Sequence, residues 1–239
     1  MLKLLKTMLA FSWLAGVAPA MAADDGVLVF GATGQLGAEV VRALVDAGYP
    51  VVAFVRPGSD RTRLAGLPVS FVTGDMLVAA DVRAAFAGKS FSAVVDASAR
   101  GRAGNDFYPT AMGHIVAAAR DHGRPRIVLH GSVGAGDNIR QFPQAPFGPM
   151  AATLAAKGEA ERILADSGLP WVVIRNGILA PAGTPATGKA TLSDDQRLMR
   201  TVTRADLGAL TAACLKDAAC FGHVWHAVDE SLPFPERYR

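Results

Sequence analysis

Cysteine is scarce, with Cys214 and Cys220 the only two in 239 residues. They form no C-x-x-C pair and so offer no structural zinc motif. In an oxidising compartment a disulfide between them would tie the end of a helix to the following loop; the alternative is two small buried apolar side chains. Charge is scarce too, at 19% of residues, and the Lys and Arg residues are scattered rather than clustered or interleaved with aromatics. That argues against a nucleic-acid partner. The formal charge of +3 falls by two when residues 1–22 are set aside, because they carry Lys3 and Lys6 and no acid. A sequence pI of about 9.1 is therefore no sign of a polyanion partner. Internal repeats and low-complexity linkers are absent. Tyrosine is limited to Tyr49, Tyr108 and Tyr238, which leaves few places for phenol chemistry.

What is present begins with a candidate leader. Residues 1–22 read as a secretory signal peptide: Lys3 and Lys6 give a positive start, an uncharged run extends from Thr7 through Ala23, and Ala20-Met21-Ala22 matches an A-x-A cleavage site. The run of 17 residues lies at the short limit for a membrane span, which needs about 20, so an uncleaved anchor is the rival reading. No Arg-Arg pair precedes it, which disfavours a twin-arginine signal. The expected location is extracytoplasmic, in a periplasm reached through a Sec-type signal, or membrane-anchored if the leader stays. At 51% hydrophobic residues the chain can bury a sizeable core, and residues 23–239 are expected to form a single domain with a small substrate-side region near the C-terminus.

Short β-branched runs then alternate with longer helical ones, the pattern of a parallel sheet with crossover helices. Strands are expected at Val27–Phe30, Val51–Val55, Val69–Val72, Phe91–Asp96, Arg126–His130, Trp171–Arg175 and His223–Val228. Helices are expected at Gln35–Ala47, Ala79–Ala87, Tyr108–Asp121, Ala151–Asp166 and Arg204–Leu215. Asp46-Ala47-Gly48, His122-Gly123 and Ser167-Gly168-Leu169-Pro170 read as helix exits. The Gly/Pro-rich stretch from Ala180 to Lys189 reads as a loop on the substrate side.

Gly31-Ala32-Thr33-Gly34-Gln35-Leu36-Gly37 follows the first strand and opens a helix. Gly31 permits a tight turn, Gly34 lets the backbone approach a pyrophosphate, and Gly37 allows close packing behind it. Free amides at the helix start then face the anion. At the end of the second strand, where an NAD site usually offers an acid, stands Arg56, with Arg61 and Arg63 close behind. A guanidinium matches a 2′-phosphate, so NADP(H) is favoured over NAD(H). Asp60 lies beyond a Pro-Gly turn and substitutes poorly for the acid. Asp75, ending the third strand, suits either the adenine amino group or a helix cap.

The segments "GATGQLG", "VVAFVRP", "VTGD", "IVLHGSVGAG", "KGEAERILADSGLPWVVIRNGIL" and "TRADLGAL" occur in that order. In this the chain resembles the atypical short-chain dehydrogenase/reductase superfamily, in its NmrA-like, NAD(P)H-binding branch. The resemblance implies a doubly wound Rossmann fold, with sheet order 3-2-1-4-5-6 plus a late strand and helices on both faces. It also implies nucleotide contacts from Gly31, Thr33, Gly34, Gln35, Leu36, Gly37, Arg56, Asp75, Met76, Ala97, Ser98, Lys157 and Asn176.

Where such proteins reduce carbonyls, a Tyr stands four residues before a Lys, with a Ser on an earlier strand-to-helix loop. Here Lys157 matches the Lys and Ser132 the Ser, but Thr153 occupies the Tyr position, so the standard ketone reductase mechanism is in doubt. Tyr108, after the fourth strand, is the substitute phenol to test, with helix-start packing as its other role. Lys157 suits a ribose contact or a surface helix. Asn176, where relatives often carry Pro, faces the nicotinamide or serves a turn. Relatives without the Tyr resemble flavin, biliverdin or quinone reductases, whose conjugated acceptors need only hydride from a positioned cofactor and a proton from solvent.

His223 and His226, three apart on a strand, point to opposite faces and cannot share a metal. His130 sits beside Ser132 and reads as a satisfied buried His or a cleft residue. Asp206 reads as a helix-start carboxylate. The leading expectation is an NADPH-dependent oxidoreductase of a small conjugated acceptor, with Ser132, Lys157 and Tyr108 nearest the chemistry. The alternatives are a non-catalytic NADP(H)-binding sensor and a scaffold or assembly protein using the fold.

Overall fold

The structure is a computed structural model that describes residues 25–99 and 103–238; the candidate leader lies outside the described residues. Its centre is an eight-stranded sheet. Six strands have the expected parallel arrangement: β1 Gly26–Phe30, β2 Val51–Val55, β3 Val69–Thr73, β4 Phe91–Asp96, β5 Arg126–Ser132 and β6 Trp171–Asn176, in the order β3-β2-β1-β4-β5-β6. Three short strands flank the Gly/Pro-rich stretch, β7 Ile178–Leu179 before it and β8 Thr191–Ser193 and β9 Thr201–Val202 after it, ahead of β10 His223–Val228. The late strand β10 adds in parallel to β6, and β8 closes that edge antiparallel to β10. Strands β7 and β9 pair with each other alone.

Strand alternation decides which side chain goes to which layer. Val27 and Val29 face α1 Gln35–Asp46 and α5 Arg204–Lys216, while Leu28 and Phe30 face α2 Ala79–Phe86, α3 Phe107–Asp121 and α4 Ala151–Ala165. Both faces of β1 are therefore buried, which is why it reads as an unbroken apolar run. Burying each Leu or Phe contributes about 1.5–3 kcal/mol. On the first face Gly208 lets α5 close on α1, because a Cβ there would lie 2.5 Å from the Glu39 carbonyl oxygen. The α5 start is capped: the Thr203 hydroxyl accepts from the Asp206 amide at 2.9 Å.

Asp206 is more than a helix-start charge. Its carboxylate also accepts from the Thr187 and Gly188 amides, both at 2.9 Å, and so pins the Ala180–Lys189 loop to α5. Burial works to raise its pKa, but the bonds from Thr203, Thr187 and Gly188 together hold it below the ordinary carboxylate value. The two cysteines form a disulfide that joins the end of α5 to the short turn at Ala218–Cys220, and both are buried.

Candidate functional site

The parallel strands end together at one edge, and the chain crosses from β1 into α1 there through the glycine turn. Gly31 has φ +74, and its carbonyl accepts from the Gly34 amide at 2.9 Å. A Cβ on Gly31 would lie 2.6 Å from Ser98 Cα and 2.7 Å from the Ala97 carbonyl oxygen, so only glycine fits under the β4 exit. Gly37 sits behind the turn and is buried; a Cβ there would strike the Gly31 carbonyl oxygen. Gly34 caps α1 with no side-chain bond and is exposed, leaving the first amides of the helix open to an anion.

A cleft of about 930 Å³ runs along this edge, near the upper end of the range of ligand sites, roughly 300–1,000 Å³. Gly31, Thr33, Gly34, Gln35, Leu36, Arg56, Asp75, Met76, Ala97, Ser98, Ser132, Lys157 and Asn176 all line it, whereas Gly37 and Tyr108 do not. At one end, Arg56 and Ser59 follow β2. Arg63 reaches back over the turn, donating to the Thr33 carbonyl at 3.3 Å. Asp75 is partly exposed and accepts from the Leu77 amide at 2.9 Å; its own amide donates to Asp81 in the first turn of α2. Asp75 thus shapes the approach to α2 without being its N-cap, which is Val78.

The middle of the cleft is a polar floor. Lys157 projects from α4, and burial pushes its pKa down while Glu161 and Asp96 hold it up. Tyr108 stands behind it, the Lys157 ammonium lying 5.1 Å from the ring centroid, in a recess off the main cleft shared with Asp96 and His130. Its geometry is that of a residue positioning Lys157, not of a phenol on the cleft wall. Thr153, at the family's Tyr position, donates to the Asn105 side chain at 2.9 Å and is also off the wall.

Glu161 organises the strand ends. It is buried beside Arg175, with Nη2 donating to its carboxylate at 2.7 Å, and it also accepts from the Ser132 backbone. Burial pushes its pKa up and Arg175 opposes that. Gly131 is what admits the carboxylate, since a Cβ there would clash with Glu161 Oε1. Arg175 Nη1 continues to Gln196 at 2.9 Å, tying the late loop to the same frame.

His130 is buried, with both ring nitrogens partnered, and burial lowers its pKa to about 4, so it is neutral near pH 7. Its Nε2 lies 2.9 Å from the Thr211 hydroxyl, which also reaches the Leu207 carbonyl at 2.7 Å. His130 Nδ1 meets the Asn176 side-chain carbonyl oxygen at 3.2 Å, so Asn176 holds the ring from the β6 end. His223 is exposed and His226 buried, on opposite faces as the alternation requires.

The other end of the cleft is apolar. Phe107, Phe147, Met150, Leu154, Ile178, Leu179 and Met199 line it, with Arg204 and Tyr238. Met150 and Leu179 remain 47% and 36% exposed at its rim. Sequence spacing gave no hint of Tyr238 or Arg204 here, because they arrive from the chain end and from the start of α5.

The profile of the NAD(P)H-binding family matches residues 31–218, from the glycine turn to the end of α5. The chain belongs to the NAD(P)H-binding family. Within its range of folds, it is similar to the anaerobillin reductase ChuY of Escherichia coli O157:H7, with a TM-score of 0.76, 27% identity, and coverage of 88% of this chain and 100% of that one. It is 31% identical over 183 residues to a 3-diazoavenalumate denitrifying reductase of Streptomyces sp, covering 66% of this chain and 57% of that protein. It is also 48% identical over 61 residues to sterol demethylase protein B of Methylococcus capsulatus, 26% of this chain and 19% of that protein. The chain therefore spans less than two thirds of the length of these two curated relatives. In NAD(P)H-binding terms, the cleft divides into a glycine-turn end, a Lys157 floor and an apolar end.

Proposed function

We propose that the protein is an NADPH-dependent oxidoreductase that reduces a small conjugated acceptor of flavin, quinone or tetrapyrrole type. The observation that carries the reading is the order of groups along one cleft: open backbone amides, then Lys157 and Ser132, then an apolar pocket. The reductase relatives support the same class of chemistry. NADPH, when bound, supplies the hydride. The residues fit it: the uncapped start of α1 suits a pyrophosphate, and Arg56 with Ser59 suits a 2′-phosphate where no acid ends β2. Lys157 orients the ribose, with Asn176 on the cleft wall beside it. Thr153 cannot serve as general acid near neutral pH, so the acceptor draws its proton from solvent, which a conjugated product tolerates.

The test is NADPH oxidation with riboflavin, menadione and biliverdin as acceptors. The account expects acceptor-dependent oxidation that falls at least 10-fold in Lys157→Met and by a smaller factor in Ser132→Ala. Nucleotide binding without oxidation by any acceptor would favour the sensor reading. The disulfide supports an extracytoplasmic location, as the leader does, so a bound or locally supplied nucleotide forms part of this proposal.

A further inference from the structure

Arg204 is the first residue of α5 and lines the apolar end of the cleft. Its Nη1 donates to the Ala180 carbonyl at 2.7 Å. Among the described residues, no carboxylate lies within ion-pair distance of it, and its Nε and Nη2 have no protein partner. Two features make this cation costly to keep for packing alone. It stands in the first turn of a helix, where the macrodipole disfavours positive charge, and its neighbours on the cleft wall are Ile178, Leu179 and Met199. Along the whole cleft, the described lining residues include the cations Arg56, Lys157 and Arg204 against the single carboxylate Asp75. Arg56 lies at the glycine-turn end and Lys157 on the floor, so Arg204 is the cation of the acceptor end.

We propose that Arg204 is a specificity-determining residue that recognises an oxyanion, such as a carboxylate, on an otherwise apolar aromatic or conjugated acceptor. This deepens the reductase reading and rests on it for the identity of that end of the cleft. The bond to Ala180 fixes the guanidinium plane and leaves its other edge as a fork for two oxygens. The apolar wall beside the half-buried guanidinium lowers the local dielectric and so strengthens the pair. Met150 and Leu179, exposed at the rim, would cover the ring system that carries the anion.

The test uses two fluorescent probes of one aromatic framework: 8-anilinonaphthalene-1-sulfonate, an anion, and N-phenyl-1-naphthylamine, which is neutral. Each is titrated into the wild type, Arg204→Met and Arg204→Lys, with and without saturating NADP⁺, and thermal unfolding is followed for each variant. The expected result is that Arg204→Met weakens the sulfonate probe at least 10-fold and the neutral probe less than 2-fold. Arg204→Lys should hold sulfonate binding within about 3-fold, and NADP⁺ should not displace the probe. Equal weakening of both probes, an unchanged sulfonate affinity in Arg204→Met, or displacement by NADP⁺ would overturn the proposal. Failure of NADP⁺ itself to bind would count against the reductase reading and leave the comparison between the probes intact.

Discussion

Gly37→Ala is expected to lower nucleotide affinity more than 100-fold and to destabilise the fold by about 2 kcal/mol, in the range of overpacking changes. Alanine ordinarily favours a helix over glycine by about 1 kcal/mol, so the sign has to be argued. A Cβ on Gly37 would strike the Gly31 carbonyl oxygen and approach Gly31 C at 2.7 Å and Ala32 Cα at 2.9 Å. All of these are backbone atoms of the turn, and no flexible side chain can yield. The turn must therefore move, and the amides at the start of α1 move with it. Gly113→Ala provides the control: Gly113 lies in α3, and a Cβ there meets nothing within 4 Å, so helix propensity alone should stabilise by about 0.5–1 kcal/mol. Thermal unfolding and nucleotide titration of the two variants check both signs.

Arg175→Met is expected to destabilise by about 3–5 kcal/mol, because it removes one partner of a buried ion pair and leaves the other charge uncompensated. The Arg175 and Glu161 side chains are only 12% and 7% exposed. The sign of the pH effect follows from Glu161. Burial already pushes its carboxyl up, and losing the guanidinium pushes it higher, so the folded variant binds a proton that the unfolded chain releases above its own, lower pKa. The deficit should therefore be smallest near and below pH 4.3, where both states are protonated, and should grow as pH rises toward neutrality. Urea unfolding of the variant and the wild type at pH 5 and pH 7.5 reads it directly. Glu161→Gln should cost less, since its amide still fills the space beside Gly131. The consequence reaches the site, because Glu161 also holds the Ser132 backbone.

Much of this architecture was legible in the chain, and for a physical reason. Strands buried on both faces are mostly apolar, so Val51–Val55 and Phe91–Asp96 have the same bounds in sequence and structure; His223–Val228 keeps its bounds too, although its first half is partly exposed, and the other long elements shift only at their ends. Strands β7, β8 and β9 were not legible. They are two or three residues long, and long-range pairing with each other and with β10 makes them, not any local propensity. The same division holds at the site. The glycine turn announces itself because part of its demand is local: a positive φ at Gly31 and the close approach of Gly37 to Gly31 and Ala32, all within seven residues, to which the β4 exit at Ala97 and Ser98 adds a long-range one. Tyr108 behind Lys157, Gly131 making room for Glu161, and Arg204 with Tyr238 at the apolar end depend on what the fold brings together across 30 to 49 positions of the chain. No spacing rule carries that information.

The account stands on the glycine-turn cleft holding NADP(H) through Arg56. The measurement that tests it most directly is calorimetric titration of the protein and of Arg56→Ala with NADPH and NADH. The account predicts that the wild type binds NADPH at least 10-fold more tightly than NADH, and that Arg56→Ala removes this difference while leaving NADH binding nearly unchanged. Absence of heat with either nucleotide, or equal affinities that Arg56→Ala does not alter, would contradict it.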